Sequence, residues 1–394
     1  MALIKPVYVA LDSSQLGNWA RDRDSTDDAI RAAALDFETE FLQSGFILVV
    51  TFHHIDELLA HSDAAVRTRL ALLKTLPLVA WPHLPASSML PGGISDIMAA
   101  EIEAAVHKDT AEAVRDQVAQ SIFKVGTGEE ALSFFDRHWK ALQPHFRARA
   151  EQDRDMVALT RSAIAQGPDI TVRDLKRARF GTPEAIAKRM AEMGADLALE
   201  VRERGDRRIE NPDAVAAGFV SRINAMASTL TGSVADHARR ALALQHVDLD
   251  ELGQDAKFTD LTALGLFRQK LRGVAEEDLR HIPWSIILER ATPDRLPYAL
   301  LERGLRDHGQ DLPERKGSEV YDRYLATLAF YTDLTYVDRR TQEDLRRARQ
   351  AIPELNRLLR QTEKVSGWPK VKADILSLDT SVTPATPGSP ETSE

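Results

Sequence analysis

Within residues 1–85 the hydrophobic pattern switches repeatedly between the strand period and the helix period. Val7–Leu11 (VYVAL) is an apolar, β-branched run closed by Asp12-Ser13-Ser14, the pattern of a buried strand followed by a turn. A helical stretch follows, with Ser25 or Thr26 as a cap, Ile30, Ala34, Phe37 and Phe41 on one face, and Gly45 as the stop. Phe46–Phe52 (FILVVTF) is a second buried strand, and HHIDELLAHSDAAVRTRLALLKTLP returns to the helix period before a third short strand at Leu78–Trp81 (LVAW). Strands apolar on both faces and separated by helices belong to a parallel α/β sheet.

The character changes from about Ser95 to about Leu312, where helical patterns punctuated by Gly and Pro follow one another without an alternating strand or a fixed-period repeat. The α/β pattern then resumes: a helix through about Phe330, a strand at Leu334–Val337 (LTYV) ending in Asp338, and a helix after Thr341. The expected fold is therefore a parallel sheet flanked by helices, built from residues 1–90 and 313–375, with an all-helical insertion over 91–312. A tail from 376 to 394, rich in Ser, Thr and Pro, has little to bury and reads as disordered.

The composition removes several classes of function. With no cysteine, disulfides and thiolate-held zinc or iron–sulfur centres are out. The first apolar run is too short for a secretory signal, and no stretch approaches the roughly 20 apolar residues of a membrane helix, so a cytoplasmic protein with no membrane partner is expected. Walker A, G-x-G-x-x-G, H-E-x-x-H and G-x-S-x-G patterns are missing from the sequence. A net charge of −9 argues against a passive nucleic-acid coat but is compatible with an acidic metal site beside a local basic face.

Four acids stand where such a site would form. Asp12 and Asp338 each follow a buried strand, Glu57 lies on the helix that follows the second strand, and Asp322 lies on the helix that feeds the last one. In open parallel sheets ligands bind at the carboxyl ends of the strands. Carboxylates gathered there repel one another unless a counter-charge is present, and an all-oxygen donor set suits Mg²⁺ or Mn²⁺. Asp56 competes with Glu57, and Asp333 with Asp338, for the inward position. His53 and His54 read as satisfied structural histidines. Ser13, then Asn18 and Arg21 on the loop after the first acid, and Arg339 and Arg340 after the last, are candidate substrate contacts, with Arg346, Arg347 and Arg349 on the next helix as further phosphate ligands.

These motifs resemble the PIN-like nucleases. Val9-Ala10-Leu11-Asp12-Ser13-Ser14 is similar to that family's opening strand with its Asp-Ser/Thr end, and Ile55-Asp56-Glu57-Leu58-Leu59 to its second acid. Asp322 through Ala329 (DRYLATLA) resembles its third, and Leu334-Thr335-Tyr336-Val337-Asp338 its closing strand and fourth. The resemblance implies a hydrolase, specifically a ribonuclease that uses Mg²⁺ or Mn²⁺ held by Asp12, Glu57, Asp322 and Asp338 to cut phosphodiester bonds. Nucleic acid, most simply RNA, would be the substrate. From a different class, a catalytically silent PIN fold would act as a scaffold, with the insertion serving self-association or a protein partner. Arg303 and His308 match the spacing of helical HEPN ribonucleases, a pattern that a chain holding 51 Lys and Arg yields by chance.

Overall fold

A computed structural model describes residues 6–84, 90–160, 170–179, 181–227, 233–251, 253–311, 314, 316–365 and 367–378. The strands are β1 (Val7–Ala10), β2 (Phe46–Val49), β3 (Val79–Pro82), β4 (Phe123–Gly126), β5 (Leu334–Val337) and β6 (Gln361–Lys364). They form one sheet of six in the order β4-β3-β2-β1-β5-β6. All neighbours are parallel except β3 and β4. The chain is thus α/β, with a mostly parallel sheet flanked by many helices. β1 is central: Val9 pairs with Leu48 on one side and with Leu334 on the other, so the two ends of the chain share one sheet.

Three features depart from the sequence reading. The turn and loop expected after Asp12 form the helix Ser13–Arg23, which Asp12 caps, so Asn18 and Arg21 are helical. The insertion over 91–312 is not all-helical. It carries β4, which closes one edge of the sheet by pairing antiparallel to β3 from Val79↔Gly126 to Pro82↔Phe123. β4 has four residues and none is buried, so it shows no core-facing alternation. Its anchors are tertiary: Lys124 lies over the Trp81 ring and pairs with Glu130, and a Cβ at Gly126 would come within 2.8 Å of the Trp81 ring. At the opposite edge β6 reads QTEK and buries only Thr362. Polar and charged residues are what blunt an exposed sheet edge, and they hide such a strand from a hydrophobicity reading.

Strand alternation divides the sheet's side chains between two helical layers. Val9, Leu11, Phe46, Leu48, Val50, Leu334 and Tyr336 face a core shared with the helices Ser13–Arg23, Asp28–Gln43, Asp63–Thr75 and Trp368–Leu376. There Trp19 packs edge-on to Phe37 and Phe41 and stacks on Trp368. Ala10, Ile47, Val49, Ala80 and Val337 face a second core, with Ile94–His107, Pro297–His308, Glu319–Leu328 and Arg339–Ala351. The two ends of the inserted segment therefore belong to the sheet's own core. Its middle has two small cores of its own, one around Leu197 and Val201 and one around Leu249 and Leu261. No helix among the described residues is long and apolar enough to cross a membrane. Of the expected tail, Leu376 ends the last helix and residues 379–394 lie outside the described residues.

One buried acid ties the insertion to the sheet. Glu101 is fully buried and accepts the Tyr331 hydroxyl and the Tyr298 backbone N–H. Burial pushes its carboxyl up to about 8, against the two hydrogen bonds that favour the charged form. The unfolded chain, at an ordinary glutamate value, releases this proton first, so Glu101 leaves stability intact below about pH 4.5 and erodes it as pH rises to about 8. The erosion reaches at most about 5 kcal/mol. Glu101→Gln is expected to flatten that slope. In urea titrations the variant should gain on the parent between pH 5 and pH 8, and parallel pH profiles would refute the assignment.

Candidate metal centre

Every acid expected at the site is placed by the end of a strand, by the helix that follows one or by the helix that feeds one. β1 leads through Leu11 to Asp12, which caps the helix Ser13–Arg23 by accepting the Ser14 N–H at 2.7 Å. β5 leads directly to Asp338, which caps Arg339–Ala351 by accepting the Thr341 N–H at 2.6 Å. β2 leads to Thr51, the cap of Phe52–Leu59, and Glu57 lies on that helix. Asp322 lies on Glu319–Leu328, the helix that feeds β5. The chain runs from β1 out to β2 and β3 on one side and returns as β5 on the other. The crevice at the carboxyl end of β1 is therefore the topological switch point of the sheet, where ligands of open α/β folds bind. Helix N-termini beside it carry partial positive charge that favours acids there.

A pocket at this edge is lined by Asp12, Ser13, Thr51, His53, His54, Glu57, Tyr321, Asp322 and Leu325. The Ser13 hydroxyl donates to Glu57 Oε2 at 2.5 Å, which ties the first acid's loop to the second acid. Burial raises the Glu57 carboxyl; the Ser13 hydrogen bond opposes this, Asp12 adds to it, and the Arg69 guanidinium counters. Asp322 is pushed well above the usual carboxylate range, first by burial and then by Asp338, against Arg340, with further repulsion from Asp12 and Glu57. Asp322 thus feels the charge of all three other acids.

The competing acids face elsewhere. Asp56 is fully buried and turns to Arg149 at 3.3 Å on the long helix Gly128–Thr160; burial pushes it up to about 6. Asp333 lies at the amino end of β5, the opposite end of the strands from the pocket, where it accepts the Tyr8 N–H at 2.9 Å and pairs with Arg360 at 2.8 Å. Both histidines have structural partners. His54 Nδ1 accepts the Thr51 N–H at 3.0 Å, which leaves Nε2–H to donate to the Leu11 carbonyl at 3.0 Å and fix the end of β1. His53 Nε2 accepts the Ile94 N–H, and its ring stacks on Tyr324. Burial, with help from Arg149 and His54, pushes His53 down to about 3, so it is neutral at physiological pH.

No protein-family model, curated protein or solved structure matches this chain.

The expected substrate contacts sit unevenly around it. Ser13 lines the pocket, the Arg21 guanidinium donates to Asn18 Oδ1 on the same helix, and Arg339 is exposed. Arg340 is engaged with the acids: it reaches Asp322 at 2.8 Å, Glu319 at 3.1 Å and Asp338 at 4.0 Å, with its side chain only 15% exposed. Arg346 and Arg347 both pair with Glu343, and Arg349 donates to the Arg360 carbonyl. The Arg303 guanidinium pairs with Asp294 and His308 is exposed, so the HEPN-like spacing builds no site.

The donor set of Asp12, Glu57, Asp322 and Asp338 suits a hard divalent cation in charge and in atom type. As the side chains stand, no group of three His, Asp or Glu among the described residues is gathered tightly enough to hold an ion. Arg340 supplies the counter-charge instead, and two of the acids use one oxygen as a helix cap. Glu319 and Arg340 are thus parts of the site that sequence alone did not join, because nothing local links positions so far apart.

Proposed function

We propose that this chain is a divalent-metal-dependent phosphodiesterase with a PIN-like arrangement of acids, cutting RNA. The observation that carries the reading is geometric: Asp12, Glu57 and Asp322 line one pocket at the switch point of a parallel sheet, and Arg340 lies between Asp322 and Asp338. Such a like-charged cluster is costly to a fold and is maintained where a cation or a reaction uses it.

Asp12, Glu57, Asp322 and Asp338 would hold Mg²⁺ or Mn²⁺. When bound, such an ion supplies positive charge that polarises a phosphoryl oxygen and lowers the pKa of a water. The chain's own part is positioning. The two helix caps fix Asp12 and Asp338, the Ser13 hydroxyl orients Glu57, and the His54–Leu11 hydrogen bond holds the strand end from which Asp12 projects. In this reading the protein acts in the cytoplasm on nucleic acid, and the inserted segment shapes access to the acids.

The purified full-length chain is expected to hydrolyse a labelled single-stranded RNA in millimolar Mn²⁺ and to stop when EDTA is added. Equal rates in both conditions, or no cleavage of RNA or DNA in Mn²⁺, would overturn the reading. The second reading, a silent PIN-like scaffold acting through its insertion, rests on Arg340 standing against Asp322 and on the acids not being gathered around a common point. It predicts no heat of Mn²⁺ binding in calorimetry.

A further inference from the structure

Asp56 is the acid that the pocket leaves unused. It stands next to Glu57 on the helix Phe52–Leu59, is fully buried, and neither of its oxygens makes a hydrogen bond of ordinary geometry among the described residues. It pairs with Arg149 Nε, 3.3 Å away on the long inserted helix Gly128–Thr160. The Arg149 guanidinium also lies over the Phe52 ring at 5.9 Å, and Phe52 packs against Phe146 of the same inserted helix. A buried ion pair is a poor source of stability, since an apolar pair of similar volume often does as well or better. What it supplies is direction, because the planar guanidinium must meet the carboxylate in one place.

One turn further on, the inserted helix reaches the helix of the third acid. Asp153 lies four residues after Arg149 and so on the same side. It is 8% exposed and accepts the Tyr321 hydroxyl at 3.2 Å. Tyr321 immediately precedes Asp322 on Glu319–Leu328, and it lines the acid pocket. Asp56 and Tyr321 are thus each the residue before a pocket acid, and each is held by the inserted helix. Successive side chains on a helix are turned by about 100°. A grip on Asp56 therefore fixes the direction of Glu57, and a grip on Tyr321 fixes that of Asp322.

We propose that Arg149 and Asp153 are positioning residues for the acid pocket: through Asp56 and Tyr321 they set the separation and rotation of the two helices that present Glu57 and Asp322. This deepens the phosphodiesterase reading and rests on it for the identity of the ion. The inserted segment is then a working part of the site as well as a cover over it. Groups that orient metal ligands without touching the ion change its affinity by about 10–100-fold when they are lost.

Calorimetric Mn²⁺ titrations of the full chain, beside melts in EDTA, test this. Tyr321→Phe keeps the ring and removes only the hydroxyl that Asp153 accepts. It should weaken Mn²⁺ binding about 10-fold while melting close to the parent in EDTA. Arg149→Met strands Asp56, so it should weaken Mn²⁺ binding to a similar degree and also lower the melting temperature. Combining it with Asp56→Leu removes both charges, which should restore most of the lost melting temperature without restoring Mn²⁺ affinity. A salt bridge with a merely structural role would give back both together. Lys140→Gln, exposed on the same helix, is the control and should change neither. Parent-like Mn²⁺ affinity in Tyr321→Phe, or in the double variant, would overturn the positioning role. A parent that binds Mn²⁺ but leaves RNA uncut, with weakened variants, removes the phosphodiesterase and keeps the positioning role. A parent that cuts RNA, with variants that bind Mn²⁺ as it does, does the reverse. A parent that binds no Mn²⁺ removes both.

Discussion

Asp12→Asn is expected to lower Mn²⁺-dependent cleavage more than about 100-fold while leaving the fold standing, since losing a group that merely supports a metal ligand already costs 10–100-fold in activity. The structure explains why the fold should survive. Asp12 caps the helix Ser13–Arg23 by accepting the Ser14 N–H. Asn caps a helix about as well as Asp, so the cap persists and only the charge is lost. Burial raises Glu57 and Asp322 and the charge of Asp12 adds to it, so removing that charge also relieves two buried neighbours. The metal-free variant should therefore melt at or slightly above the parent, the reverse of an ordinary substitution beside a core. Mn²⁺ should raise the parent's melting temperature and raise the variant's less, because the ion stabilises by RT ln(1 + [L]/Kd) and a neutral amide oxygen binds it more weakly. Asp333→Asn provides the contrast. That acid holds the Tyr8 N–H and Arg360 at the amino ends of the strands, away from the pocket, so its loss should cost stability and spare activity. Full activity in purified Asp12→Asn, with contaminating nucleases excluded, would remove the catalytic assignment.

What the sequence reveals here tracks burial. β1, β2, β3 and β5 are central or next to central, and their apolar runs are legible because both faces are covered by helices. The edge strands β4 and β6 are not legible, because FKVG and QTEK bury almost nothing and owe their pairing to the neighbours that precede them in the sheet. The same rule holds at the site. Asp12 and Asp338 announce themselves because each ends a buried run, and the choice of Glu57 over Asp56 becomes clear only once Asp56 is seen to face Arg149. Arginines carry no such local mark. Arg340 follows Asp338 as a solvated helix residue would, yet it turns inward to Glu319 and Asp322.

Arg340→Met is the substitution expected to cost most in stability, and its rescue tests the metal reading without any substrate. The guanidinium lies against Asp322 and Glu319, whose side chains are 13% and 6% exposed. Methionine keeps much of the volume but leaves both carboxyls without their cation. Removing one partner of a buried pair typically costs about 3–5 kcal/mol, because the remaining charge is stranded. In EDTA near neutral pH the variant should therefore melt well below the parent. The gap should narrow as pH falls, since protonated acids no longer need the guanidinium. If the four acids are a cation site, Mn²⁺ can take over the counter-charge that Arg340 supplied. The variant should then gain more from millimolar Mn²⁺ than the parent does, because in the parent the ion meets a site that already holds a positive charge. Calorimetric melts of both proteins in EDTA, Mn²⁺ and Ca²⁺ would read this directly. A silent scaffold predicts the same loss in EDTA but no recovery, and an Arg340→Met protein that Mn²⁺ stabilises no more than the parent would leave the acids as a structural salt-bridge network.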